Sequence, residues 1–186
     1  MSLIDEPNTI NGIDLDVLGD TICTFQDNPS LAQHTFRVTN RWVGAAHNES
    51  TINSYYGSGQ ELSHKRSFVL ETDEPEMFAG EDEGVNPVEQ LLGALASCMT
   101  TSMVSHAAVH GITIEKLETH VDGDIDLRGY LDLDDTVPKG YTEIRVNFKV
   151  KADTDDLSLL WEFATYSPVY HTLMDGADVN VKIQAW

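Results

Sequence analysis

The run Asn86-Pro87-Val88-Glu89-Gln90-Leu91-Leu92-Gly93-Ala94-Leu95-Ala96-Ser97-Cys98 constrains the fold of this chain more than any other. Proline is tolerated in the first helical turn, where its missing N–H would have no partner. Asn86 is a good N-cap. Glu89 sits where the positive end of a helix dipole favours a carboxylate. Apolar and small residues continue to Val109, and Gly111 is the natural stop. The segment predicts one long helix with a single sulfur, Cys98, near its middle. Such a place either packs a small hydrophobe or controls a thiol.

Residues 91–109 are also the one membrane candidate, but they carry Ser97, Thr100, Thr101, Ser102, Ser105 and His106. That many polar groups favour a buried helix of a soluble protein. The first residues show no basic region followed by an apolar run, so no secretory signal is expected. The two cysteines, Cys23 and Cys98, are too few for a disulfide-stapled domain and read as free thiols of a reducing cytoplasm.

Charge excludes further classes. Thirty-one Asp and Glu against 11 Lys and Arg leave a formal net charge of −20. Nucleic acids and anionic membranes both want a basic face, so neither is an expected partner. A salt-adapted surface, an acidic metal site and simple solubility compete as explanations. The acids, Asp73 and Glu74 among them, are scattered along the chain. Scatter favours a solvated surface of the acidic, halophilic kind. His106 and His110 have the spacing of two ligands on one helical face, yet lack a third ligand or a nearby cysteine, so no metal or cofactor is expected. Neither a Gly-x-Ser-x-Gly motif nor a phosphate-binding glycine loop occurs.

Periodicity supplies the other elements. Leu15, Leu18, Ile22 and Phe25 form a helical stripe within residues 13–26, ended by Asp27-Asn28-Pro29. Residues 34–43 alternate as a strand, Gly44 to Asn48 reads as a turn, and residues 49–56 return as its partner. Residues 67–72 make a third strand, and an acidic loop over 73–84 leads into the long helix. Strand alternation is expected across 112–131, interrupted at Gly123 and Gly129. Ile144, Val146, Phe148 and Val150 share one face of a strand over 141–151. A helix over 154–165, capped by Thr154 or Asp155, turns Leu157, Leu160, Trp161 and Ala164 inward. Ser167-Pro168 starts another helical turn, and Val179, Val181 and Ile183 form a last strand. Strand runs separated by helices indicate an α+β fold.

The Asn86-Pro87 to Cys98 helix resembles the signature of the OsmC/Ohr family of thiol-dependent peroxidases. The element order resembles that family too: a β-meander, the cysteine helix ending near His110-Gly111-Ile112, a strand through Gly123 to Gly129, then Ser167-Pro168-Val169 and the terminal strand. The resemblance implies antiparallel curved sheets around long central helices in an intertwined homodimer. It assigns residues 31–186 to the OsmC-like domain and residues 1–30 to an N-terminal helical extension found in one branch. It also implies that Cys98 attacks a hydroperoxide at the dimer interface.

Three supports of that chemistry differ here. The family's hairpin-turn arginine is absent from Gly44-Ala45-Ala46-His47-Asn48, leaving His47 nearest, with Arg41 and Arg66 on flanking strands. The family's helix carboxylate falls on Val88, and Glu89 is one position off. The resolving cysteine is replaced by Ser167, so Cys23 or an external thiol must serve. Two functions are therefore carried forward. One is a cytoplasmic peroxidase for organic hydroperoxides in oxidative or osmotic stress defence, using Cys98 and an external dithiol reductant. The other is a non-catalytic protein of the same fold that binds a small apolar ligand in an interface cavity.

Overall fold

A computed structural model describes residues 8–185. The first seven residues of the 1–30 extension therefore lie outside the described residues, as does Trp186. The chain divides into two compact units. One holds residues 8 and 14–91, and the other holds residues 9–13 and 92–185.

The first unit begins with α1 (Leu15–Asp27), whose N-cap Asp14 accepts the N–H groups of Asp16 and Val17. A meander follows: β3 (Thr35–Phe36), β4 (Thr39–Gly44), β5 (His47–Gly57) and β6 (Gln60–Thr72), all antiparallel to β5. The short strands β1 (Thr9–Ile10) and β2 (Ile13–Asp14) precede α1 and pair with each other. β6 starts at residue 60 rather than 67. Ser58 and Gly59 both take positive φ, 50° and 79°, so the chain reverses in two residues and pairing resumes at once.

An acidic loop links β6 to the long helix α2 (Pro87–Val109). Asn86 Oδ1 accepts the Val88 N–H at 2.9 Å, and Glu89 Oε2 accepts the Asn86 N–H at 3.4 Å. This is the reciprocal arrangement of a capping box. Gly111 ends the helical run with φ +75°, a conformation open to glycine at no steric cost.

In the second unit, β7 (Ile114–Ile125) and β8 (Tyr141–Ala152) form a two-stranded antiparallel sheet. Asn11 joins this unit because its side-chain amide bonds Ile112 and Ile114 at the start of β7, at 2.9 and 2.7 Å. One face of the sheet is apolar, with Leu117 opposite Val150 and Val121 opposite Val146. It packs against Leu95, Met99, Met103 and Ala107 of α2 and Leu160, Phe163 and Ala164 of α4 (Leu157–Thr165). Each fully buried large side chain contributes roughly 2 kcal/mol. The other face carries opposed charges: Arg145 bonds both Asp122 and Asp124.

Several expectations need correction. β7 runs unbroken through Gly123, and Gly129 lies in a short helix, α3 (Leu127–Tyr130). At Gly129 a Cβ would sit 2.4 Å from the Pro138 carbonyl, so the chain needs glycine there to fold back closely. α4 is capped by Asp156 rather than Thr154 or Asp155, and Leu160 and Ala164 are buried as expected. Leu157 and Trp161 are 61% and 62% exposed, and Phe163 takes the buried place. Residues 177–185 lie outside any strand or helix after α5 (Pro168–Asp175). Within them Val179, Val181 and Ile183 are 83%, 79% and 94% exposed.

Candidate functional site

Cys98 lies in the middle of α2 as a free, half-buried thiol. It follows buried Leu95 by one turn, about 4.5 Å along the axis and about 60° around it. The sulfur therefore borders the packed stripe instead of lying within it. Next to this stripe, the Thr100 and Thr119 hydroxyls bond at 2.6 Å and tie α2 to β7. The helix N-terminus is eleven residues back, beyond the first turn where its dipole acts strongly.

Glu89 precedes Cys98 by nine residues on α2, which places it about 180° around the helix and about 13.5 Å back. Its carboxylate is occupied at the helix cap. Arg41 pairs with Glu49 at 3.3 Å across the β4–β5 ladder. Arg66 lies over the Phe68 ring, 5.4 Å from its centre. Cys23 is exposed on α1. Ser167 is fully buried and caps α5, its Oγ accepting the Tyr170 N–H at 3.2 Å.

In the first unit, His47 borders a cavity of about 270 Å³ together with Gly44, Ala45, Asp73 and Glu81. Sequence reasoning placed Asp73 among solvated surface acids, but it is only 1% exposed. Its carboxylate accepts the backbone N–H groups of Glu74, Glu81 and Glu83 at 2.8, 3.0 and 3.3 Å. Burial pushes the Asp73 carboxyl up, but the three backbone donors and the charge of His47 outweigh it, so it titrates below its ordinary value. Neighbouring Glu74 is shifted the other way, by burial and by the charges of Asp73 and Glu89. Asn86 donates its side-chain amide to Glu74. The sequence signal for this arrangement was the loop's glycines. A Cβ on Gly80 would lie 1.7 Å from the Glu74 carbonyl, so the loop must fold tightly over its own start.

His106 and His110 serve packing. The His110 ring lies 4.6 Å from Phe163, and that of His106 lies 4.5 Å from Tyr166. Burial and then the charge of His110 hold His106 below its ordinary value. Among the described residues no group of three His, Cys, Asp or Glu is placed to hold a metal ion. α2 is long and apolar enough to cross a membrane, yet its buried stripe belongs to the core of the second unit.

The family model described as OsmC-like protein matches residues 80–182. The fold is similar to that of an OsmC-like protein from Mycoplasma pneumoniae, with 17% identity, a TM-score of 0.57, and coverage of 81% of this chain and 96% of that one. An osmotic-stress-induced and detoxification-response protein from Psychrobacter arcticus 273-4 aligns with 20% identity and a TM-score of 0.54, covering 74% and 86% of the two chains. An OsmC-like protein of unknown function from Vibrio cholerae aligns with 12% identity and a TM-score of 0.51, covering 76% and 93%. None of the curated proteins compared with the sequence matches it. At these identities the structural likenesses establish the fold.

Proposed function

The chain belongs to the OsmC-like protein family, and from that premise we propose that it is a cytoplasmic thiol peroxidase that reduces organic hydroperoxides through Cys98 in stress defence. One observation carries the reading: a free, half-buried thiol stands in the middle of a well-capped helix, inside the matched segment. The Cys98 thiolate attacks the terminal oxygen of the hydroperoxide. An S–O bond forms as the O–O bond breaks, and the departing alkoxide takes up a proton to become the alcohol. The sulfur gives two electrons and is left as a sulfenic acid.

Ser167 supplies no second sulfur, and its hydroxyl is engaged as a helix cap. An external dithiol therefore completes the cycle in this reading. Its first thiol condenses with the sulfenic acid, releasing water and forming a mixed disulfide. Its second thiol displaces Cys98 and leaves as the oxidised dithiol. Glu89 and Arg41 are assigned structural roles at the α2 cap and the β4–β5 ladder. His47 is retained as the candidate cation.

A second copy of the chain is the proposed partner. Phe36, Val38 and Trp42 of the first unit are 75%, 61% and 69% exposed, and the apolar residues of the 177–185 tail are barer still. Exposed apolar side chains are what an interface between copies would cover.

Purified protein with cumene hydroperoxide and dithiothreitol should consume peroxide, and Cys98→Ser should abolish the consumption. Equal inactivity of both proteins would end the enzyme reading. A second reading, a non-catalytic binder of a small apolar ligand, is supported by a cavity in the second unit. It expects a thiol that alkylates slowly, with a rate rising only in the alkaline range of an ordinary cysteine.

A further inference from the structure

Asn11 and Gly12 form the turn between β1 and β2, with φ of 54° and 76°. Positive φ at both central residues is what the tightest hairpin turn demands, and Asn-Gly meets it. The turn alone does not account for the asparagine side chain. Its Oδ1 accepts the Ile114 N–H at 2.7 Å. Its Nδ2 donates to the Ile112 carbonyl at 2.9 Å and to the Val104 carbonyl at 3.4 Å. One amide thus clasps the hairpin to the last turns of α2 and the start of β7. The clasp needs an acceptor and a donor on one short side chain, which an amide supplies and a carboxylate does not.

Asn11 is also the one asparagine of the chain that is followed by glycine. Gly12 is exposed, and it has no Cβ to shield its main-chain nitrogen. We propose that Asn11 is a modification site for deamidation, gated by the clasp and irreversible once the reaction has run. The deprotonated Gly12 nitrogen attacks Asn11 Cγ. The new N–C bond closes a succinimide, and Nδ2 leaves as ammonia. Water then opens the ring at one of its two carbonyls and leaves aspartate or isoaspartate. Water is the only co-reactant, and nothing is oxidised or reduced. In the folded chain both ends of the amide are engaged, so the ring closes only from the state in which the hairpin has opened. Three hydrogen bonds, each worth a factor of about five in that equilibrium, slow the folded chain about a hundredfold. The product does not restore the clasp. Aspartate turns a carboxylate oxygen toward the two carbonyls that Nδ2 had bonded, and isoaspartate lengthens the main chain within the turn. The site therefore converts a transient opening into a permanent one, whether or not Cys98 is peroxidatic.

The test incubates the full-length protein folded and unfolded in urea, at one pH and temperature. Peptide mapping by mass spectrometry follows the conversion of amide to acid at Asn11. The folded protein should deamidate about a hundredfold more slowly. Sub-denaturing urea should speed deamidation and hydrogen exchange at the Ile114 amide in parallel. Equal rates in the folded and unfolded protein would overturn the gating, and absence of deamidation in urea would overturn the site itself. Asn11→Asp should speed hydrogen exchange at Ile114 and through residues 9–13. Asn11→Ser, which removes the amide without adding a charge, should speed it less. Unchanged exchange in Asn11→Asp would overturn the irreversible release. If that variant fails to fold, wild-type protein aged to partial deamidation and resolved by anion exchange gives the same comparison.

Discussion

The carboxylate of Asp73 accepts the backbone N–H of Glu81, eight residues later, at 3.0 Å. With its bonds to Glu74 and Glu83, one buried side chain holds closed a loop that carries six acidic residues between positions 73 and 84. Those acids repel one another, so the loop's shape depends on backbone donors that converge on a single anion. The loop ends at the start of α2, and its geometry therefore bears on how that helix begins.

Asp73→Asn should destabilise the protein at neutral pH, because an amide presents N–H groups to backbone N–H donors. The Asp73 carboxyl titrates below its ordinary value in the folded state. Its stabilisation is thus fully present above the unfolded value of about 4 and is lost as pH falls through the depressed one. The gap between wild type and variant should narrow in that acid window. Urea midpoints from neutral pH down to about pH 3 would show it. A gap independent of pH would contradict the role given to the carboxylate.

His106 has the opposite charge type, and its window lies higher. Its folded value is lowered from 6.5, first by burial and then by the charge of His110. The unfolded chain therefore takes up the proton first as pH falls. Stability should be complete above about pH 6.5 and should decline as pH drops from there toward the lowered value. His106→Phe should flatten this part of the profile while keeping a ring against Tyr166. Denaturation at pH 7.5 and 5.5 compares the two proteins.

Leu160 is 1% exposed at the centre of the α2–α4–sheet core. Leu160→Ala should cost about 2–5 kcal/mol, the lost transfer energy plus the cavity left behind. Leu157→Ala, on the exposed side of the same helix, should cost far less. Equal losses in chemical denaturation would mean that α4 packs on a different face.

The acidic surface predicts a stability that rises with salt. Raising KCl from about 0.1 M to about 1 M shortens the screening distance from about 10 Å to about 3 Å and removes most of the self-repulsion. The thermal midpoint should climb across that range, and a salt-indifferent midpoint would remove the salt-adapted reading.

The site was legible only in part. Cys98 and the cap of its helix are local features, and the structure places both where the pattern of the run predicted. Ser167 was legible as the wrong atom for a disulfide, while its burial and its service to the Tyr170 N–H came from the fold. His47 was expected within a turn and instead opens β5, paired with Gly44. That Asp73 and Glu81 share its cavity was not legible, because those residues lie more than twenty-five positions away along the chain.

By itself, the sequence determined what repeats over a few residues: the capped run of α2, the alternation of Ile144, Val146, Phe148 and Val150, and the excess of acid. Backbone hydrogen bonding and side-chain periodicity act over that range, so short patterns specify them. Only the tertiary structure decided which acid is buried, which face of α4 turns inward, and that residues 179–183 leave their apolar side chains bare. Each of these depends on a partner distant in the chain. An isolated pattern states that a face is apolar, and packing alone selects what covers it.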